Sequence, residues 1–228
     1  MKKALVLAAA LGCSSLGLYA VTAAERLGES ARVLHEIMET PDKGIPQDLL
    51  NKAYCVVIVP SMKKGAFVVG GEYGKGFTIC RRGAGMGWGA PAAVRMEGGS
   101  VGFQIGGSAT DVVMLIMNEH GMKELDKDKF TLGGDASVAA GPVGRTASAN
   151  TDAYMTAEII SWSRSKGLFA GVSLSGASLR PDRDANKELY GEKLDNKQIL
   201  MTPKEPPAAA KELIAELDKY SMRKDGSN

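Results

Sequence analysis

The chain has 228 residues, 44% of them hydrophobic and 24% charged, with 28 glycines, three cysteines and a formal net charge of +2. That apolar share can fill a core, which excludes a disordered chain, and three cysteines exclude a disulfide-dense mini-scaffold. A charge this near zero excludes a strongly basic nucleic-acid binder, and the length sets one domain as the natural count.

The N-terminus reads as an export signal. Met1-Lys2-Lys3 is a short positive start, Ala4 to Leu11 is apolar, and Val21-Thr22-Ala23-Ala24 closes the uncharged stretch with small residues. Gly12, Ser14, Ser15, Gly17 and Thr22 dilute it below what a membrane span needs. Cleavage is expected after Ala23 or Ala24, giving a signal peptide over 1–23 and a single domain over 24–228. The alternative is a lipobox-like cut before Cys13, in Ala10-Leu11-Gly12-Cys13, with lipid on that cysteine. Loss of residues 1–23 leaves 26 basic and 26 acidic side chains, so only local patches could attract an anionic partner. Export to the periplasm or envelope leaves Cys55 and Cys80 in an oxidising space, as a disulfide or as two buried thiols.

Leu27, Ala31, Leu34 and Met38 recur at helical spacing and predict a helix over 25–39, stopped by Thr40-Pro41. A short helix is expected from Pro46 to Ala53, followed by a strand, Tyr54 to Val59, that Pro60 ends. Between Gly65 and Gly107 lie 14 glycines in 43 residues, which excludes helix and requires strands, turns and bulges. The β-favouring runs there and beyond are 66–69, 77–80, 93–96, 101–105 and 111–118. Phe67-Val-Val-Gly-Gly, Phe103-Gln-Ile-Gly-Gly and Phe130-Thr-Leu-Gly-Gly echo one another, as though a strand ending in a paired-glycine turn were used three times. A helix is expected over 119–127, strands over 158–163 and 168–174, a helix over 182–190, and a last one, 207–222, opened by Pro206-Pro207. The fold class is α+β: a mostly antiparallel glycine-rich sheet or flattened barrel with helices at both chain ends.

Motifs for chemistry are mostly missing. Gly83-Ala-Gly85-Met-Gly87-Trp-Gly89 lacks the spacing of a nucleotide loop. Gly171-Val-Ser173-Leu-Ser175 has Ser175 where a nucleophile elbow needs glycine, and His35 and His120 fall in surface helices, so a serine hydrolase using Ser173 is the least favoured reading. Asp182-Arg-Asp184-Ala-Asn186 starts like a calcium loop, but Lys187 and Lys193 stand where glycine and glutamate belong; an acid-rich helix start fits better. Asp111, Asp135 and Asp152 read as turn caps. No zinc spacing joins the cysteines and histidines, and neither metal nor cofactor is expected. What remains is cationic: Lys63-Lys64 in a turn, Arg81-Arg82 after a strand, Arg164 and Lys166 between two strands, and Arg145. Grouped at one end of a sheet, these would hold phosphate head groups; dispersed, they are solvated turn charges.

Three longer motifs are more specific: Val101-Gly-Phe-Gln-Ile-Gly-Gly107, Asp135-Ala-Ser-Val-Ala-Ala-Gly-Pro-Val-Gly-Arg145 and Ser163-Arg-Ser-Lys-Gly-Leu-Phe-Ala-Gly-Val-Ser-Leu-Ser-Gly176. With Lys63-Lys-Gly-Ala-Phe-Val-Val-Gly-Gly71 and Trp88-Gly-Ala-Pro91, they make the chain, from about 45 to 191, resemble the SYLF lipid-binding domain family; Gly89 departs from the serine many members have. The resemblance implies a compact β-rich domain with flanking helices and no known enzymatic activity. Eukaryotic members bind phosphoinositide membranes, often by an amphipathic N-terminal helix, and some bind actin filaments. Exported bacterial members have no established ligand. Here residues 25–39 carry Glu25, Glu29, Glu36 and Glu39 against Arg26 and Arg32, so that helix is expected to pack on the sheet and not on anionic lipid. The expectation is an exported, non-catalytic module that meets an anionic lipid or membrane surface through Lys63, Lys64, Arg81, Arg82, Arg145, Arg164 and Lys166. The alternative is an envelope structural or protein-interaction module. Actin is set aside because an exported chain would not meet filaments.

Overall fold

The apolar stripe of Leu27, Ala31, Leu34 and Ile37 forms one face of a helix, α1 (Ala23–Glu39), and is fully buried. Thr22 starts it through a capping box: its hydroxyl accepts the Glu25 N–H at 3.2 Å, and the Glu25 carboxylate accepts the Thr22 N–H at 2.8 Å. The Ala23 N–H donates to Glu188 Oε1 at 2.8 Å. The cut expected after Ala23 or Ala24 therefore falls inside the first helical turn, and a chain starting there would lack the cap. The computed structural model describes residues 21–40, 44–66, 69–82, 87–101, 106–143, 156–165 and 167–221. Cys13, Arg145, Asp152 and Lys166 lie outside the described residues.

After α2 (Gln47–Lys52), four long strands follow: β1 (Cys55–Ala66), β2 (Val69–Cys80), β3 (Ala92–Val101) and β4 (Gly106–Ile116). Then come α3 (Glu119–Glu124), β5 (Phe130–Thr131), β6 (Val138–Ala140), β7 (Ile159–Ser165), β8 (Leu168–Gly171) and β9 (Ser178–Pro181). The chain closes with α4 (Arg183–Tyr190), α5 (Asn196–Leu200), a 3-10 turn (Ala208–Ala210) and α6 (Lys211–Ser221). The curled sheet runs β5-β9-β3-β2-β1-β4-β7-β6, with β8 on β7. Its ladders are antiparallel except β6 on β7. The expected α+β class, with helices at both ends, is what the structure has.

Strand alternation divides the core in two. Val56, Ile58, Ile79, Val113, Leu115 and Trp162 pack with α1, α2 and α6. Val57, Val59, Met62, Val112, Met114 and Ile116 pack on the opposite face with Phe130, Leu132 and Leu179. Each such side chain contributes about 1.5–3 kcal/mol by leaving water, so the sheet is held from both faces. No described helix is long and apolar enough to cross a membrane.

Two expectations need correction. Pro60 does not end β1: the strand bulges, Ser61 takes φ 50, its N–H donates to Asp111 Oδ1 at 2.8 Å, and pairing resumes at Lys63 with β2 and Met62 with β4. The bulge fits because Gly76 lies against it; a Cβ there would stand 1.9 Å from the Ile58 carbonyl oxygen. The paired-glycine turn holds once in three: Gly133-Gly134 is a turn, but Gly70-Gly71 lies inside β2 and Gly106-Gly107 inside β4. β5 is the strand expected before Gly133-Gly134, whereas short β6, β9 and α5 carried too little pattern to be expected.

Candidate functional site

Among the described residues the cations do not form one group. Cys55 opens β1 and Cys80 closes β2; they are cross-strand partners with Cα atoms 4.0 Å apart and are joined as a disulfide, S–S 2.02 Å. Arg81 and Arg82 follow at this end. Lys63 and Lys64 lie eight and nine residues along β1, about 25 Å away. The expected single cluster at one end of the sheet is thus overturned by register: two strands pairing antiparallel carry Lys63-Lys64 and Arg81-Arg82 to opposite ends.

Arg81 is also turned inward. Its Nε donates to Ala53 O (3.0 Å), Nη1 to Ser221 O (3.0 Å), and Nη2 to Leu50 O (3.1 Å) and Asn51 O (3.3 Å). Its guanidinium stacks 4.3 Å over Trp88, whose indole N–H donates to Ser221 Oγ at 2.9 Å. Carbonyls at the ends of α2 and α6 are orphan acceptors, and a planar five-donor cation satisfies several at once. Arg81 clasps two helix ends to the sheet, so a head-group role is withdrawn. Arg82 is exposed beside it. Burial pushes the nearby Asp218 carboxyl up, although Arg81 and Arg82 pull against it.

At the far end, Lys63-Lys64 is not in a turn but inside β1, because the strand continues past Pro60. Lys64 pairs with Glu72 across to β2, Nζ–Oε1 3.0 Å, and Lys63 stands opposite Tyr73, both exposed. Lys63 has no ion-pair partner among the described residues. Ala66 pairs with Gly106 and Val69 with Val101, so the strand ends flanking the β1–β2 and β3–β4 connections are adjacent.

Arg164 lies within β7, not between strands, for the same reason of strand length. Its Nε donates to Asp111 Oδ2 at 2.6 Å, it ion-pairs with Glu36 of α1, and it packs on Phe169 at 5.4 Å. Burial lowers its pKa first, and the neighbouring Arg32 lowers it further. Two carboxylates already neutralise it, so it ties α1 to the sheet. Asp111, expected as a turn cap, instead braces the bulge and Arg164 together.

The chemistry of catalysis does not assemble around the residues singled out for it. Ser173 Oγ lies 3.1 Å from Ser175 Oγ. His35 faces Glu216 and Tyr220, and His120 faces Glu158 and Glu124. Asp135 accepts the Thr131 N–H at 2.7 Å, a turn cap, and Asp182 caps α4 through the Ala185 N–H. Among the described residues no group of three His, Cys, Asp or Glu side chains could hold a metal. A different feature escaped sequence reading: a cavity of about 320 Å³ beside the disulfide, between Arg82, Ala90 and the segment 199–205. Its walls come from parts of the chain over a hundred residues apart, so no local signal marks it.

Comparison with known proteins shows the family. The Ysc84 family, described as Las17-binding protein actin regulator, matches residues 97–220, more than half of the chain. The chain belongs to the Ysc84 (SYLF) family. Relatives include LAS seventeen-binding protein 3 of Saccharomyces cerevisiae, 36% identical over 82% of this chain and 41% of its own. An SH3 domain-containing protein of Schizosaccharomyces pombe is 40% identical over 76% of this chain and 41% of its own. Human SH3 domain-containing YSC84-like protein 1 is 33% identical over 86% of this chain and 58% of its own. The chain thus spans about half the length of the curated relatives it matches. The Ysc84 family is not a known enzyme family, and those relatives are named for protein binding and for an additional SH3 domain.

Proposed function

We propose that this Ysc84-family domain is a non-catalytic binding module of an exported, oxidising compartment that meets anionic lipid with the end of the sheet bearing Lys63 and Lys64. The observation carrying this reading is the adjacency of the two hairpin ends behind which exposed Lys63 and Tyr73 stand. In sequence, the connections Phe67-Val68 and Gly102-Phe103-Gln104-Ile105 hold four apolar residues, Phe67, Val68, Phe103 and Ile105. An exposed tyrosine beside an exposed lysine suits a lipid interface, where aromatic rings sit at head-group level and each lysine near an anionic surface is worth about 1 kcal/mol. Arg81 and Arg164 are engaged elsewhere, and Arg82 is at the wrong end, so the contact rests on fewer cations than the sequence suggested. The Cys55–Cys80 bond supports the oxidising compartment.

Flotation with vesicles of phosphatidylcholine, with and without 30% phosphatidylglycerol, tests it. Binding should require the anionic lipid, fall in Lys63→Glu/Lys64→Glu, and persist in Arg82→Glu. Equal binding by the two charge-reversal variants would overturn the reading. The names of the relatives favour a second one, a protein-binding module. Retention of a defined envelope protein by the immobilised domain at physiological salt, with no vesicle binding, would establish that instead.

A further inference from the structure

The cavity beside the disulfide is built like a ligand site and lies at the opposite end of β1 from Lys63. Its floor is apolar and closed: Cys80, Ala90 and Ile199 are at most 3% exposed, and Leu200 packs on the same cluster. Its mouth is charged on one side and apolar on the other. Arg82 is exposed at the rim, while Met201 stands 38% exposed across from the sheet. Lys204 also lines the rim, with Nζ 2.7 Å from Glu192 and near the Tyr190 ring. The lining contains three cations, Arg81, Arg82 and Lys204, against one carboxylate, Glu205. Arg81 is held by carbonyls and Lys204 by Glu192; Arg82 feels the nearby Asp218 carboxyl but makes no ion pair among the described residues, which leaves it positioned to take a new anion. About 320 Å³ falls within the range of small-ligand pockets, which are mostly apolar with a few placed polar groups.

We infer that this cavity binds one amphiphile: an alkyl chain along Leu200, Met201 and Pro203 over the closed floor, with a single anionic head against Arg82. The alkyl chain supplies the burial by covering the apolar surface that Leu200, Met201 and Pro203 leave open, since Cys80, Ala90 and Ile199 behind them are already closed off from water. The head group selects anions over neutral chains, because a guanidinium at a partly enclosed rim interacts more strongly than one in open water. The site does not depend on the vesicle reading, since it shares no residue with it.

Trp88 adjoins Gly89 and Ala90 in sequence and lies under Arg81, so occupancy is expected to change its fluorescence over the constant signal of Trp162, with calorimetry as the independent readout. The probes are decanoate, decanol and acetate, each titrated into the oxidised protein and followed by that fluorescence and by calorimetry. Decanoate should bind saturably at one per chain, decanol at least tenfold more weakly, and acetate not measurably. Ala90→Leu, which fills the floor, should abolish decanoate binding; Arg82→Glu should weaken it at least tenfold; Lys63→Glu should leave it unchanged. Should Ala90→Leu fail to fold, Met201→Asp at the exposed mouth serves in its place and should weaken decanoate at least tenfold. Absence of saturable decanoate binding, or binding indifferent to both Arg82→Glu and the floor or mouth variant, would overturn the site.

Discussion

Arg81 shows how a residue's role follows from its acceptors. A surface arginine exchanged for alanine changes stability little, but here four backbone carbonyls of two helix ends would lose a charged donor. Hydrogen bonds to charged groups are each worth about 1.5–3 kcal/mol, and solvent reaches part of this site, so Arg81→Ala is expected to cost about 3 kcal/mol in urea unfolding. Arg81→Lys should recover little, because one ammonium cannot span the fork. Asp182 gives a pH signature. Burial would raise its carboxyl, but bonds from Lys75 (2.7 Å) and the Ala185 N–H, with the charge of Lys75, hold it below its ordinary value. The folded carboxyl therefore ionises at lower pH than the unfolded one. Its stabilisation is full above the unfolded value of about 3.9 and is lost as pH falls through the folded one. Unfolding measured from pH 6 to pH 2 should show an acid loss that is smaller in Asp182→Asn, which is itself less stable at pH 7.

At the scale of elements, caps and close approaches set where helices and strands begin and bend. Thr22→Ala removes the α1 cap and should cost about 1 kcal/mol; thermal melts of chains beginning at Val21 and at Ala24 should differ in the same direction, the shorter melting lower. Gly76→Ala drives a methyl into the Ile58 carbonyl at the bulge, and overpacking of this kind costs about 3 kcal/mol or more, seen as a lower urea midpoint. Helices α1 and α6 were legible because their apolar residues recur at helical spacing, and α4 because of its acid-rich start. The strands were legible in type but not in extent: Pro60 reads as a stop, and only Gly76 on the neighbouring strand, with Asp111 holding the Ser61 N–H, lets β1 pass through it. The glycine pairs read as turns because a glycine's neighbours in sequence do not say whether another strand will pair with it.

For the whole molecule, the Cys55–Cys80 bond and the separation of charges matter most. The bond joins residues 25 apart in sequence. By loop entropy it should contribute about 3 kcal/mol, so urea unfolding with and without reductant should differ by about that amount, as should Cys55→Ala/Cys80→Ala. Because Lys63 and Arg82 sit at opposite ends, vesicle binding and amphiphile binding should respond to different substitutions. Vesicle binding should also fade as salt rises from 0.05 to 0.5 M, since its charges are exposed; decanoate binding, resting largely on apolar contact, should fade less.

The sequence by itself determined the fold class, the helices at both ends, the packing of an acidic-faced α1 on the sheet, and the family, because periodicity, glycine density and motif order are properties of the chain read in one dimension. It also named the cations, as residue types. Only the tertiary structure decided what each of them does. Antiparallel register sent Lys63 and Arg82 to opposite ends, helix ends brought orphan carbonyls to Arg81, α1 brought Glu36 to Arg164, and residues more than a hundred apart closed the cavity over the disulfide. Contacts of that kind depend on which strands and helices become neighbours, and local residue order carries no record of it.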